Sequence, residues 1–179
     1  MMLDAKKACE NAILNGAQEM CLAAITAPKA CGKDSVTCGV ATGEEIAALV
    51  KEMKRIEDET ENCRPIFYRD AAQLEQCEAV VLIGSKNQAR GVHPCGFCGN
   101  GSCAGMAKTP GQHCAFDDID LGIAVGSAAA AAADLRIDHR VMYTVGLAAM
   151  NLQMLGEKVG TIIAIPVTAS NRNIFFFGR

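Results

Sequence analysis

The chain has 179 residues, half of them hydrophobic, a net charge of −3 and no tryptophan. That length suits one domain around one core, and the near-neutral charge gives no electrostatic footprint for nucleic acid or an anionic membrane. Two tyrosines and six phenylalanines are too few to furnish base-stacking platforms.

The N-terminal "MMLDAKKACENAILNGAQEMCLAAI" lacks a continuous apolar run before a small-residue cleavage site, so it reads as a mature helix and not as a secretion signal. Asp4 can cap that helix, Ala8, Ala12, Ile13 and Leu14 fall on one stripe, and residues 20–25 continue it after Gly16 until Pro28. Turn formers follow around a short strand "SVTCGV", and Thr42 with Glu45 makes a capping box before the amphipathic "IAALVKEMKRIEDE". A strand is predicted at residues 65–68, then a short polar helix, then "AVVLIGS", whose unbroken apolar run marks a strand covered on both faces.

"DDIDLGIAVGSAAAAAADL" predicts a helix entered through Asp117, Asp118 or Asp120, with small side chains that permit close helix approach. Its apolar run at residues 121–133 is fenced by Asp120 and Asp134 and falls short of the roughly 20 residues a membrane span needs. "DHRVMYTVGLAAMNLQMLG" reads as a strand or loop followed by a helix, and "VGTIIAIPVTAS" as a last buried strand ended by Pro166. Helices and buried strands thus alternate through a single domain, residues 1–179, interrupted by one loop at residues 93–116.

Ten cysteines without a secretion signal point to a reducing, cytoplasmic setting, where thiols serve as metal ligands, redox groups or small buried hydrophobes. Cys9, Cys21, Cys63 and Cys77 stand singly and read as buried thiols; Cys31 and Cys38 flank a loop and are either inert or functional. Cys95, Cys98, Cys103 and Cys114 form C-x2-C-x4-C-x10-C in "HPCGFCGNGSCAGMAKTPGQHC". Four thiolates are the ligand set of a cubane iron–sulfur cluster, and the glycines let a chain wrap a compact anion with its N–H groups turned inward. Zinc also accepts four cysteines, although its structural sites favour two short knuckles, and the second pair here is spread over ten residues. His93 and His113 beside the cysteines read as hydrogen-bond donors or surface groups.

The spacing is not that of the bacterial ferredoxin run. No nucleophile triad, paired catalytic carboxylates or phosphate-binding loop emerges. Lys29 and Lys33 beside Cys31 would depress its thiol pKa. Arg69 and Asp70 form either an internal ion pair or a substrate clamp.

The segments "TAPKACGKD", "YRDAAQLEQCEAVVLIG", "CGFCGNGSC", "CAFDDIDLGIAVGSA", "DHRVMYTVGLAA" and "IPVTASNRNIFFFGR" resemble the DUF2148 family of ferredoxin-domain-containing proteins across nearly the whole chain. More distantly, the element order resembles the flavin-dependent nitroreductase fold. That resemblance implies an α+β, nitroreductase-like domain: a mixed sheet covered by helices, a homodimer built on the Ala-rich helix, and an inserted metal loop. In nitroreductases a segment A-P-S-x-x-N-x-Q-P contacts flavin; Ala27 and Pro28 match it, while Lys29, Gly32, Asp34 and Ser35 replace Ser, Asn, Gln and Pro. The resemblance implies a flavin (FMN) or small-molecule site at Pro28, Lys29, Cys31, Gly32, Thr144 and Gly146, with Arg172 and Arg179 near a flavin phosphate. The expected function is electron transfer between a [4Fe-4S] cluster and that site, serving a redox partner or small-molecule substrate. An iron–sulfur carrier or sensor on a flavin-less dimer, and a structural zinc protein, are the alternatives.

Overall fold

The computed structural model describes Met2 and residues 4–176. Its elements are α1 (Ala5–Thr26), a 3-10 turn (Ala30–Gly32), β1 (Val36–Ala41), α2 (Gly43–Glu59), α3 (Phe67–Leu74), β2 (Ala79–Ser85), α4 (Cys103–Ala107), α5 (Ala115–Asp134), β3 (Asp138–His139), α6 (Tyr143–Asn151) and β4 (Thr161–Thr168). The strands form one sheet in the order β1-β2-β4-β3. Every pairing among the described residues is antiparallel, so the parallel member of a mixed sheet is not among them.

Strand alternation divides the core in two. On β2, Ala79, Val81 and Ile83 face α1 and α5, where they meet Ile13, Met20, Leu121 and Ala128. Val80 and Leu82 face the other way, onto Leu49 and Met53 of α2, Leu74 of α3 and Val145 of α6. All seven residues of β2 are buried, as the unbroken apolar run requires. Ala17 and Ala24 of α1 and Ala124, Ala128 and Ala132 of α5 are buried together, and these small side chains let the two helices approach closely.

Local signals explain most boundaries. Asp4 accepts the Lys7 N–H at 2.8 Å to start α1, and Glu45 closes back on the Thr42 N–H at 3.0 Å to start α2. The strand expected at residues 65–68 is instead the entry of α3. Phe67, Asp70, Ala71 and Leu74 are buried at helical spacing, and Glu57, from α2, accepts the N–H groups of Phe67 at 2.9 Å and Tyr68 at 3.1 Å, capping the helix from a distance. Nor does Pro166 end β4, which runs on to Thr168. Ala164 exchanges both main-chain bonds with Met142, so Pro166 turns the same edge outward at the interruption between His139 and Met142, where no N–H is needed.

Gly146 of α6 lies against the backbone of β4: a Cβ there would overlap the Ile162 carbonyl oxygen and stand 3.2 Å from Ile163 Cα. Backbone of a central strand has nowhere to move. Gly146→Ala is therefore expected to destabilise the protein by about 3 kcal/mol, the upper end of overpacking costs, read as a lower urea midpoint with an unchanged slope.

Candidate metal centre

Beyond β2 the chain leaves the sheet and folds the cysteine loop against the N-terminus of α5. Gly99 (φ 79°) and Gly101 (φ 67°) take left-handed conformations that turn the chain between Cys98 and Cys103. Ser102 accepts the Gly105 N–H at 3.1 Å and so starts α4, with Cys103 its first residue. Cys114 is the N-cap residue of α5, fixed by an N–H donated to Asn87 Oδ1 at 3.0 Å. Cys95, Cys98, Cys103 and Cys114 consequently line one small cavity together with Arg90, Met106, Phe97 and Phe116. The Phe97 and Phe116 rings stack at 5.4 Å, and Phe97 is 72% exposed.

The electrostatics favour thiolate at one of these positions. The Asn100 main-chain N–H, and after it the Asn100 Nδ2 group 3.8 Å from Sγ, hold the Cys98 thiol below its ordinary pKa. Cys114 sits at the positive end of a 20-residue helix, where N–H groups and the helix dipole stabilise negative charge.

Behind the cavity lies a buried polar cluster for which local sequence gives no signal. Asp117, fully buried, accepts hydrogen bonds from Ser35 Oγ, Ser85 Oγ and, at 3.1 Å, the Gln88 N–H. Arg90 pairs with Asp117 at 2.5 Å and with Asp120 at 2.7 Å, and Asp120 also accepts the Ala30 N–H at 3.0 Å. The sequence offers Asp117, Asp118 or Asp120 as the cap of α5. The helix instead begins at Ala115 with Cys114 as its N-cap residue, which places all three inside it, Asp117 and Asp120 buried and Asp118 exposed.

The remaining sequence candidates are dispersed. Lys29 points back onto the end of α1, its ammonium donating to the carbonyls of Ala24 at 3.1 Å, Ala27 at 3.0 Å and Ile25. All three donors of that ammonium are thereby engaged with main chain. Pro28, Cys31 and Gly32 belong to the turn beside it, with Cys31 (φ 58°) and Gly32 (φ 63°) both left-handed and Cys31 exposed. Thr144 is buried and its hydroxyl donates to Asp70 Oδ2 at 2.7 Å, and the side of Gly146 where a Cβ would stand lies against β4. Arg172 is exposed and Arg179 lies outside the described residues.

Arg69 and Asp70 form an ion pair at 2.7 Å, with Asp70 buried and Arg69 exposed. Lys33 donates to the Arg90 carbonyl at 2.8 Å and does not serve Cys31. Of the cysteines read as buried, Cys9 is exposed and Cys21, Cys63 and Cys77 are half-buried; burial pushes the Cys77 thiol up to about 12. Cys38 Sγ meets the Cys21 carbonyl at 3.6 Å, a contact between β1 and α1 that spacing did not suggest. His113 lies 3.4 Å from Asp118 and His139 2.9 Å from the Ile137 carbonyl, so both hold structural contacts.

Comparison with known proteins agrees with this architecture. A family model described as uncharacterised proteins containing a ferredoxin domain (DUF2148) matches residues 110–177. An uncharacterised protein of Archaeoglobus fulgidus is 34% identical over 183 residues, covering 98% of this chain and 97% of its own. In three dimensions the chain is similar to a nitroreductase with bound FMN from Desulfitobacterium hafniense, with a TM-score of 0.62 and 14% identity over 96% of this chain and 81% of that one. It is also similar to the hypothetical oxidoreductase YcnD of Bacillus subtilis, with a TM-score of 0.57 and 16% identity over 89% of this chain and 58% of that one. At such identities the structural likeness is one of fold. The chain belongs to the DUF2148 family of proteins containing a ferredoxin domain, and carries it on an α+β fold like that of the FMN nitroreductases.

Proposed function

We propose that the protein is an iron–sulfur redox protein that holds a [4Fe-4S] cluster on Cys95, Cys98, Cys103 and Cys114. The observation that carries this reading is the convergence of four thiols, from the loop, the start of α4 and the cap of α5, on one cavity. Zinc would draw four sulfurs to within about 3.8 Å of one another, given Zn–S bonds of about 2.3 Å. A four-iron cluster gives each thiolate its own iron and spreads them farther apart. The wide C-x10-C spacing of the second pair, unlike the two short knuckles of structural zinc sites, supports the cluster over zinc.

A bound cluster supplies reversible one-electron transfer, at a potential set by its charge, its hydrogen bonds and its exposure. Asn100 donates toward Cys98, Cys114 stands at the N-terminus of α5, and the stacked Phe97 and Phe116 line the cavity. Lys29, Thr144 and Gly146 are engaged inside the fold, which favours a carrier or sensor over an enzyme that holds flavin through those residues. FMN or a small molecule at the turn of Pro28, Cys31 and Gly32, with Arg172, is the second reading, supported by the FMN-bound structural neighbour. The protein works as a cytoplasmic homodimer, for which the exposed Leu14, Leu22 and Ile25 of α1 and Ile119 and Ile123 of α5 supply apolar surface. No described helix is long and apolar enough to cross a membrane.

Anaerobic purification followed by iron, sulfide, zinc and flavin assays tests the reading. About four irons and four sulfides per chain are expected, with a broad visible shoulder and none of the resolved bands of FMN. Stoichiometric zinc without sulfide would refute the cluster; resolved flavin bands would select the second reading.

A further inference from the structure

The guanidinium in the wall of the cysteine cavity is incompletely bonded. Arg90 is 1% exposed, and its side chain brings five N–H donors with it. Nε donates to Asp120 Oδ2 at 2.9 Å, and Nη2 donates to Ser35 Oγ at 2.6 Å while lying 2.5 Å from Asp117 and 2.7 Å from Asp120. Nη1 is buried and has no acceptor among the described residues. A buried cationic donor left open is an exception that calls for a bound partner. Besides Phe97, Phe116 and Met106, the cavity that Arg90 helps to line holds the four cysteines and Ser102, whose hydroxyl already accepts the Gly105 N–H, so the side-chain acceptors it concentrates are mainly sulfur.

We propose that Arg90 Nη1 donates a hydrogen bond to the sulfurs of the cluster bound by the four cysteines, and that Arg90 is a positioning residue that raises the reduction potential there. The proposal rests on the iron–sulfur reading. Reduction adds one negative charge to the site, and a fixed cation at hydrogen-bond distance stabilises the reduced form more than the oxidised one. Asp117 and Asp120 hold the guanidinium from its other edges, so its open edge is preset and does not reorganise. Asp120 also accepts the Ala30 N–H, which ties the position of Arg90 to the turn that follows α1. Lysine could not reproduce this arrangement, because the planar fork serves two carboxylates and the cavity at once.

The test uses the anaerobically prepared holoprotein, its iron content assayed first. Protein grown with arginine carrying nitrogen-15 in the guanidinium is reduced and examined by pulsed EPR. A nitrogen-15 coupling to the reduced centre is expected, and it should vanish in Arg90→Lys. In Arg90→Met the ratio of reduced to oxidised protein at a fixed poise should fall at least tenfold, a shift of 59 mV to more negative potential for a one-electron couple; Arg90→Lys should shift less. An iron-loaded parent protein without the coupling, or an unchanged potential in Arg90→Met, overturns the proposal while leaving the cluster in place. If Arg90→Met does not fold, the labelled parent decides alone. A parent protein that takes up no iron removes the cluster reading and this proposal together.

Discussion

Replacing Asp117 with alanine is expected to destabilise the protein by about 3–5 kcal/mol, the range for removing one partner of a buried ion pair. Asp117 is fully buried, and one carboxylate there answers four groups: the Ser35 and Ser85 hydroxyls, the Gln88 N–H and the Arg90 guanidinium. Alanine would take the shared acceptor from all four, with Arg90 retaining Asp120 but the Ser85 hydroxyl and the Gln88 N–H losing their carboxylate. Asp117→Asn keeps one acceptor oxygen but brings an N–H2 group against existing donors, so its loss should fall between alanine and the parent. Asp118, next in the chain and exposed, pairs with His113 at 3.4 Å; Asp118→Ala should change stability by less than about 1 kcal/mol. Urea unfolding of the three variants side by side measures this. Equal midpoints for Asp117→Ala and Asp118→Ala would show that the buried cluster does not hold the fold.

Periodicity made the scaffold legible. The capping box of α2 and the apolar run of β2 each report a local constraint, and each is present in the structure; of the α1 stripe read at Ala8, Ala12, Ile13 and Leu14 only Ile13 is buried, because the face that packs on the sheet and α5 runs through Ile13, Gly16, Ala17, Met20 and Ala24. Where an element is fixed from outside, the local pattern misleads. Residues 65–68 look like strand because Ile66, Phe67 and Tyr68 favour one, yet Glu57, ten residues earlier than Phe67, supplies the cap that makes them helix. Pro166 looks like a strand end because the gap in the edge opposite it is invisible in sequence.

The candidate site divides in the same way. Its four cysteines could be named from spacing, whereas Ser35 lies 82 residues from Asp117, and Arg90 lies 30 from Asp120 and 55 from Ser35. Pairings at that range leave no local trace. Asp117, Asp118 and Asp120 compete for the cap of α5 because an acidic residue near a helix start usually is one. Burial of Asp117 and Asp120, visible only once α5 is placed against β2 and the turn after α1, assigns them to Arg90 instead.

Cys114→Ala should abolish cluster binding, lowering iron from about four to less than one per chain while leaving the fold intact. Cys114 is the one buried member of the four and stands on the rigid end of a 20-residue helix, so it is the ligand least able to be replaced by movement of the loop. Its side chain makes no capping bond, and α5 is started by main-chain bonds from Asp117 and Asp118 to the Cys114 carbonyl, which alanine retains. Far-UV circular dichroism of the metal-free variant should therefore match that of the metal-free parent, separating lost ligation from lost structure. Cys9→Ala, on the exposed side of α1, should keep its full iron and sulfide. A Cys114→Ala protein that still carries four irons and sulfides would mean that another thiol completes the set, and the cavity that gathers these four cysteines would no longer mark the metal site.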